Sequence, residues 1–305
     1  MALPKAYEFL KLGNKPPHRT DEKLSGKTVL ITGATTGIGL ATAHRFAQGN
    51  ANLIFIVRNR QKAEALQADL QAKYGIKVAF YLADFQNLYS LNASLEKLKS
   101  EVFSLDILVN NAGVYSTKRL LTDHGTEMVL TVNHLASYLI TETLAPLLET
   151  TKGRIIQVNS EGHRFSGFAI DDPHFKKRRY TGLKSYGASK TAQLHTVWEL
   201  AEQFKTKGIT INAMHPGAVK SDIGMNNGWL YRTFKNLIIN RTLKDVQDAS
   251  DAIYYLAASK TLVGITGQYF YLTHQTMPAK HAIKSLLSKK ITELTSNLLA
   301  LALNK

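Results

Sequence analysis

Tyr186 and Lys190 stand four residues apart in the run Tyr-Gly-Ala-Ser-Lys, a spacing that puts both side chains on one face of a helix. The pairing can move protons. A free phenol titrates near 10 and is a poor acid or base at neutral pH, whereas an ammonium beside it stabilises the phenolate. Bringing the phenol to about 7 requires roughly 4 kcal/mol. In a chain with 13 tyrosines such a pair also arises by chance, so its neighbours decide its meaning.

A second run supplies them. Thr32-Gly33-Ala34-Thr35-Thr36-Gly37-Ile38-Gly39 follows the apolar stretch 28–31 and precedes Leu40-Ala41-Thr42-Ala43. This reads as a strand, a glycine turn and a helix. The glycines let the backbone approach a pyrophosphate, and the unpaired N–H groups of the first helical turn point at the anion, so a dinucleotide is the natural ligand. An oxidised nicotinamide beside Tyr186, together with one buried cation, accounts for a phenol moved toward neutrality.

These residues need a sheet to hold them. Strand-like segments at 28–32, 52–57, 77–82, 107–110, 154–158, 210–214 and 268–272 alternate with helical ones from Lys27 onward. Their apolar, β-branched character suits strands buried on both faces. The reading is an α/β chain: a Rossmann-type, doubly wound parallel sheet of about seven strands with helices on both faces, in a single domain. Helices are expected at 61–74 and 126–149, the latter with Met128, Val132, Leu135 and Leu139 as its core stripe. Residues 1–25, with Pro4, Pro16 and Pro17, read as an extended arm, and 26–275 as the catalytic domain. In 276–305, Ile283, Leu286, Leu287, Ile291, Leu294, Leu298 and Leu301 follow a helical period. Packing on the body or on a second subunit is expected of that helix, ahead of lying on a membrane.

Composition narrows the classes. At 44% hydrophobic and 20% charged residues, the chain is that of a soluble globular protein. The absence of cysteine excludes disulfides, Cys-ligated metals and a thiol nucleophile, and no metal site is expected. The first 27 residues lack an apolar signal core, and no apolar run reaches the roughly 18 residues of a span, so a cytoplasmic location is expected. The net charge of +15 fits a solvated basic surface or attraction to a phosphate-bearing cofactor or acidic membrane. Nucleic acid is not expected as a partner, because the basic residues are dispersed and no aromatic stripe accompanies them. The densest cluster, Lys176-Lys177-Arg178-Arg179, falls in a loop and reads as solvated.

Taken together, the motifs resemble those of the short-chain dehydrogenase/reductase family. The glycine motif Thr32 to Gly39, Asn110-Asn111-Ala112-Gly113, Asn133, Ser160, Tyr186 with Lys190, and Pro216-Gly217 all occur in that family's order. The resemblance implies that Tyr186 exchanges the proton at the substrate oxygen and that Ser160 hydrogen-bonds that oxygen. Lys190 would hold the nicotinamide ribose and lower the Tyr186 pKa, and Asn133 would anchor a water connecting Lys190 to solvent. The cofactor is implied to lie against Gly33, Thr35, Thr36, Gly37, Ile38 and Gly39, then Arg58, Asp84, Asn110, Ala112 and Gly113. Tyr186, Lys190, Pro216, Gly217, Val219 and Ser221 would complete its contacts. Asp84 reads equally as a helix N-cap.

The 26 residues from Ser160 to Tyr186 exceed the spacing of the shortest family members. The added segment 161–185, His215-Pro216-Gly217, Arg58-Asn59 with Lys62-Ala63-Glu64, and the run 264–270 resemble the retinol-dehydrogenase-like branch. His163, within the added segment, reads as a structural or pocket-rim residue and not as a catalyst. Residues 221–241 should form a lid over the nicotinamide, with Met225, Trp229, Leu230, Tyr231 and Phe234 as an apolar roof.

The second strand closes at Arg58 with no acid beside the adenosine 2′ position, which favours NADP (NADPH) over NAD. The implied function is hydride transfer between NADP(H) and a carbonyl or alcohol of a hydrophobic small molecule. An NADP-binding sensor or scaffold without turnover is the alternative, and the intact Asn133, Ser160, Tyr186 and Lys190 set argues against it. Weak peripheral membrane contact and a homodimer are both compatible with the sequence.

Overall fold

The computed structural model describes residues 15–217 and 246–303. The expected lid, Val219, Ser221 and the first 14 residues of the arm therefore lie outside the described residues.

In chain order the elements are β1 (Thr28–Thr32), α1 (Gly37–Gln48), β2 (Asn52–Val57), α2 (Arg60–Tyr74), β3 (Val78–Leu82), α3 (Leu88–Glu101) and β4 (Ile107–Asn110). A helix then starts with one turn at Met128–Leu130, takes π geometry over Thr131–Leu135 and continues as α4 (Ala136–Glu149). There follow β5 (Arg154–Val158), a 3-10 turn at Glu161–Phe165, α5 (Gly182–Gln203), β6 (Thr210–His215), α6 (Val246–Ala258), β7 (Tyr269–Tyr271), β8 (His274–Thr276) and α7 (Leu286–Leu303).

The strands form one sheet in the order β3-β2-β1-β4-β5-β6-β7-β8. Every pairing is parallel except β7 with β8. Alternation along the central strands sends side chains to two cores. Val29 and Ile31 of β1 and Leu53, Phe55 and Val57 of β2 join α1, α2 and α6 on one face. Leu30, Ile54 and Ile56 join α3, α4, α5 and α7 on the other. Strands covered on both faces have no polar side to show, which is why they read as continuous apolar runs.

The sheet has eight strands where the sequence suggested about seven. The extra strand is three polar-to-neutral residues, His274–Thr276, returned antiparallel by a tight turn through Leu272 at φ +53. A leucine in the left-handed region gives no turn signal of the kind glycine or asparagine gives. The core stripe Met128, Val132, Leu135 and Leu139 is buried as expected.

The C-terminal helix forms and packs on the body as expected, with Ile291 of the expected stripe fully buried but the helix turned so that part of the stripe faces outward. It buries Ser288, Ile291, Thr292, Thr295, Leu299 and Ala302, while Leu286 and Leu301 are 87% and 64% exposed and Leu294 and Leu298 are half-buried. Small hydroxyl residues let α7 sit against α5 and reach buried histidines. His134 Nε2 meets Thr295 Oγ1 at 2.8 Å, and His195 Nδ1 meets Ser288 Oγ at 2.9 Å. Hydrogen bonding outweighed leucine periodicity in choosing the face.

The β1–β4 neighbours mark the point where chain order reverses, and crevices open at the carboxyl ends of strands there. Loops from β1 to β6 converge on that edge.

Candidate active site

The loop after β1 is shaped by its glycines. Gly33 and Gly37 have φ of +66° and +54°, and a Cβ on Gly39 would collide with the Gly33 carbonyl oxygen and lie 2.6 Å from Asn111 Nδ2. Thr32 ties this loop to the one after β4: its Oγ1 accepts from the N–H groups of Asn111 and Ala112, both at 3.0 Å. Asn111 Nδ2 donates to Thr32 O at 2.9 Å.

The start of α1 differs from the other helix starts around it. Asn59, Asn87 and Thr181 cap α2, α3 and α5 with side-chain oxygens, whereas Thr36 gives α1 no side-chain cap and its first turn carries no acid. Its first-turn N–H groups are left for an anion, and the helix dipole favours one there. A cleft of about 420 Å³ runs from this turn past Ile56, Val57, Arg58 and Lys62 to Asp84, and past Asn111, Ala112 and Gly113 to Tyr115. An anionic, two-armed dinucleotide suits these walls: bare backbone donors in the middle, cations at one end and the Tyr186 neighbourhood at the other.

Most of the cofactor residues expected from the sequence line that cleft: Gly33, Thr35, Thr36, Gly37, Ile38, Gly39, Arg58, Asp84, Ala112 and Gly113. Asn110 does not. Its Nδ2 donates to Thr141 Oγ1 at 2.8 Å, so its side chain points into α4, and Asn111 faces the cleft instead. The strand ends one residue before the side chains turn toward the ligand. Asp84 accepts from Gln86 N–H at 3.0 Å but does not cap α3, whose cap is Asn87. Lys62, which served only as a branch marker in the sequence, stands beside Arg58 on the cleft wall. Pro216 is buried and Gly217 takes φ +82 at the end of β6.

At the catalytic end, α5 presents Tyr186 and Lys190 one turn apart, with Lys190 Nζ 5.8 Å from the phenol ring centre. Ser160 follows β5, and its hydroxyl lies near enough to the phenol to favour the phenolate while accepting from Gly162 N–H at 3.0 Å. Lys190 is buried and donates to the Val158 carbonyl at 3.0 Å. Asn159 locks the two elements together, donating to Lys190 O at 2.9 Å and accepting from Ser160 N–H at 2.8 Å.

Burial and the contacts of Asn133 both shape the proton relay. Burial raises the Tyr186 phenol above its ordinary value, a rise only partly offset by Ser160, and burial pushes Lys190 down to about 7. The protein alone therefore does not lower the phenol, because a lysine near 7 is only about half charged at neutral pH. Asn133 is tied to protein groups through both its side chain and its backbone carbonyl. Its Oδ1 accepts from Val114 N–H at 2.7 Å, and its Nδ2 donates to Val114 O at 3.0 Å and to Ser189 Oγ at 3.1 Å. Its carbonyl receives Gln193 Nε2 and the Ser137 hydroxyl. Asn133 is thus a clamp joining the β4 loop to α5, seated in the π turn. The π register is the feature that sequence reading missed, and a lone mid-helix asparagine was its one trace.

The 161–185 segment is built around Asp172. Its buried carboxylate accepts from the N–H groups of Lys176, Lys177 and Arg178 at 2.7, 3.2 and 2.9 Å. The side chains of Lys176, Lys177 and Arg179 remain exposed, as the loop reading held.

Comparison with known proteins agrees with this architecture. The short chain dehydrogenase family model matches residues 27–228. Human retinol dehydrogenase 13 is 31% identical over 284 residues, covering 91% of this chain and 86% of that protein. Mouse retinol dehydrogenase 14 is 32% identical over 262 residues, covering 81% and 78%. A solved short chain dehydrogenase from Burkholderia cenocepacia in complex with NADP shares the fold, with a TM-score of 0.65 at 24% identity, covering 83% of this chain and 99% of that one. The chain belongs to the short chain dehydrogenase family, in its retinol-dehydrogenase-like branch, and is an oxidoreductase acting on CH–OH or C=O groups. Among the described residues no helix is long and apolar enough to cross a membrane.

Proposed function

We propose that this oxidoreductase uses NADP(H) and interconverts a carbonyl and an alcohol on a hydrophobic small molecule, with Tyr186 as general acid and base. One observation carries the reading: Tyr186, with Lys190 Nζ 5.8 Å from its ring, packs against Tyr115, which lines one end of a cleft whose other end holds Arg58 and Lys62.

When bound, NADP(H) supplies or receives the hydride at the substrate carbon, and its oxidised ring adds positive charge beside the phenol. In the reductive direction Tyr186 gives its proton to the carbonyl oxygen, while Ser160 donates a hydrogen bond to the same oxygen and holds it in place. Lys190 holds the nicotinamide ribose and, when charged, stabilises the resulting phenolate. Asn133 keeps the β4 loop against α5 so that these groups stay in register. At the far end, Arg58 offers a planar fork to a 2′-phosphate and Lys62 a second cation, with no acid closing β2 to favour a free ribose hydroxyl.

Apolar side chains around the phenol support a hydrophobic substrate. Tyr115 packs edge-on against Tyr186 at 5.9 Å, and Leu183, three residues before Tyr186 on α5, stays 54% exposed. The test is NADPH oxidation, followed by absorbance, with decanal, 4-nitrobenzaldehyde and all-trans-retinaldehyde. Turnover on at least one of them is expected, with NADPH preferred over NADH by about tenfold, the roughly 1.4 kcal/mol of one charge-assisted contact. NADPH binding without turnover on any of the three would favour the sensor reading, and equal use of both cofactors would remove the role given to Arg58.

A further inference from the structure

His163 lies in the 3-10 turn Glu161–Phe165, three residues after Ser160, and is fully buried. Its ring makes two hydrogen bonds that together dictate where its proton sits. Nε2 lies 3.0 Å from the backbone N–H of Ala279, a group that can only donate, so Nε2 must accept. The proton of the neutral ring is therefore on Nδ1, and Nδ1 donates to the Ser160 carbonyl at 2.7 Å. Burial holds the imidazole down to about 4, so this neutral tautomer persists through the neutral range.

The bond to Ser160 is not needed to satisfy that carbonyl. Ser160 O already accepts from the His163 backbone N–H at 3.1 Å. What the ring adds is orientation, because it pins the Ser160–Glu161 peptide plane, one residue before Gly162, whose N–H holds the Ser160 hydroxyl. Other partners keep the ring and its backbone from shifting. Tyr269 packs edge-on against the ring at 5.2 Å and donates to Glu161 Oε1 at 2.8 Å. The His163 carbonyl accepts from Thr191 Oγ1, next to Lys190, at 3.2 Å and pairs with His281 Nε2 at 2.8 Å. A residue 116 positions away thus joins the Ser160 carbonyl in holding the tautomer that steadies the serine.

We propose that His163 is a positioning residue for Ser160, and that the Ala279 N–H, by keeping the ring proton on Nδ1, makes the segment after β8 part of the catalytic assembly. This rests on the role given above to Ser160 and Tyr186. A hydrophobic residue could fill the same volume, but it could not donate to Ser160.

Three substitutions separate positioning from bulk. Asparagine places an amide nitrogen where Nδ1 stands, and glutamine places its amide near Nε2. His163→Asn therefore keeps the donor to Ser160, whereas His163→Gln keeps only the partner of Ala279. Ala279→Pro removes the N–H at a residue whose φ of −59° already suits proline. The readouts are kcat and KM for the best of the three aldehydes, NADPH affinity by fluorescence titration, and the thermal midpoint.

We expect His163→Asn to keep kcat within about threefold and His163→Gln to lose it by about thirtyfold or more, with KM and NADPH affinity moved less than about threefold in both. Ala279→Pro should lower kcat by about tenfold in the wild-type background and have no further effect beside His163→Asn, since asparagine has no tautomer to set. Equal kcat in the Asn and Gln variants, a loss that follows the thermal midpoint, or an Ala279→Pro effect that persists beside His163→Asn overturns the inference. Tyr186→Phe, measured in parallel, keeps the two readings apart. If Tyr186→Phe stays active, the reading of the site fails; if it is inactive while the Gln variant is not, only the inference fails.

Discussion

The two ends of the cleft are built by different means. The cofactor end is a backbone structure: left-handed glycines, an uncapped helix start and a threonine that ties two loops together. The catalytic end is a side-chain structure in which buried Asn133, Asn159, His163 and Lys190 bond to backbone groups of distant elements. At Gly39 the cofactor end tolerates no added atom, since the Gly33 carbonyl in its path is backbone and cannot rotate away. A side-chain site tolerates changes of volume but not of donor and acceptor pattern, because each buried polar atom left unpaired costs about 1–3 kcal/mol.

The sharpest way to break this contrast is to add bulk at the cofactor end. Gly39→Val would drive a branched side chain into the Gly33 carbonyl and Asn111, so NADPH affinity should fall by about a hundredfold or more. Affinity within threefold of wild type, measured by titration, would show that the turn can move and that the cradle is not rigid. A smaller change tests its outer rim. Arg58→Ala should cost about tenfold in NADPH affinity while leaving NADH affinity within about twofold. A matching loss for both cofactors would mean that Arg58 serves the fold and not a phosphate.

At the catalytic end the corresponding lever is pH. Burial pushes His134 down to about 3 and holds His163 and His215 near 4, well below the ordinary value of 6.5. The unfolded chain therefore binds more protons than the folded one below pH 6.5, and stability must fall as pH falls from there toward 4. Each such histidine adds roughly 1.4 kcal/mol per pH unit to that slope. Replacing His134, whose Nε2 pairs with Thr295 on α7, should flatten the slope of unfolding free energy between about pH 6 and 4.5 by one histidine's share. A slope unchanged in His134→Gln would place the protonation elsewhere.

The same contrast explains what could be read beforehand. The glycine turn, the strands around it and the Tyr186–Lys190 face were legible because each depends on local chain geometry, and local geometry leaves a spacing in the sequence. Asn110 and Asn111 show the limit of that reading: both belong to one motif, and a single residue of strand end decides which enters the core and which faces the cleft. The strand β8 escaped notice because Leu272 turns the chain without a glycine. The turn of α7 away from its leucine stripe comes from Ser288 and Thr295, which bond to histidines more than 90 residues away, a pairing with no periodic trace. His163 read as structural for the same reason, its partner being Ala279.

The account stands or falls on the phenol of Tyr186. Tyr186→Phe keeps the ring against Tyr115 and Gly162 and removes only the exchangeable proton. The decisive measurement is NADPH-dependent turnover of this variant on the best aldehyde, beside its NADPH affinity and thermal midpoint. The account predicts a fall in kcat of about a thousandfold or more with affinity and midpoint close to wild type. More than a few per cent of wild-type turnover in the folded, NADPH-binding variant would contradict it.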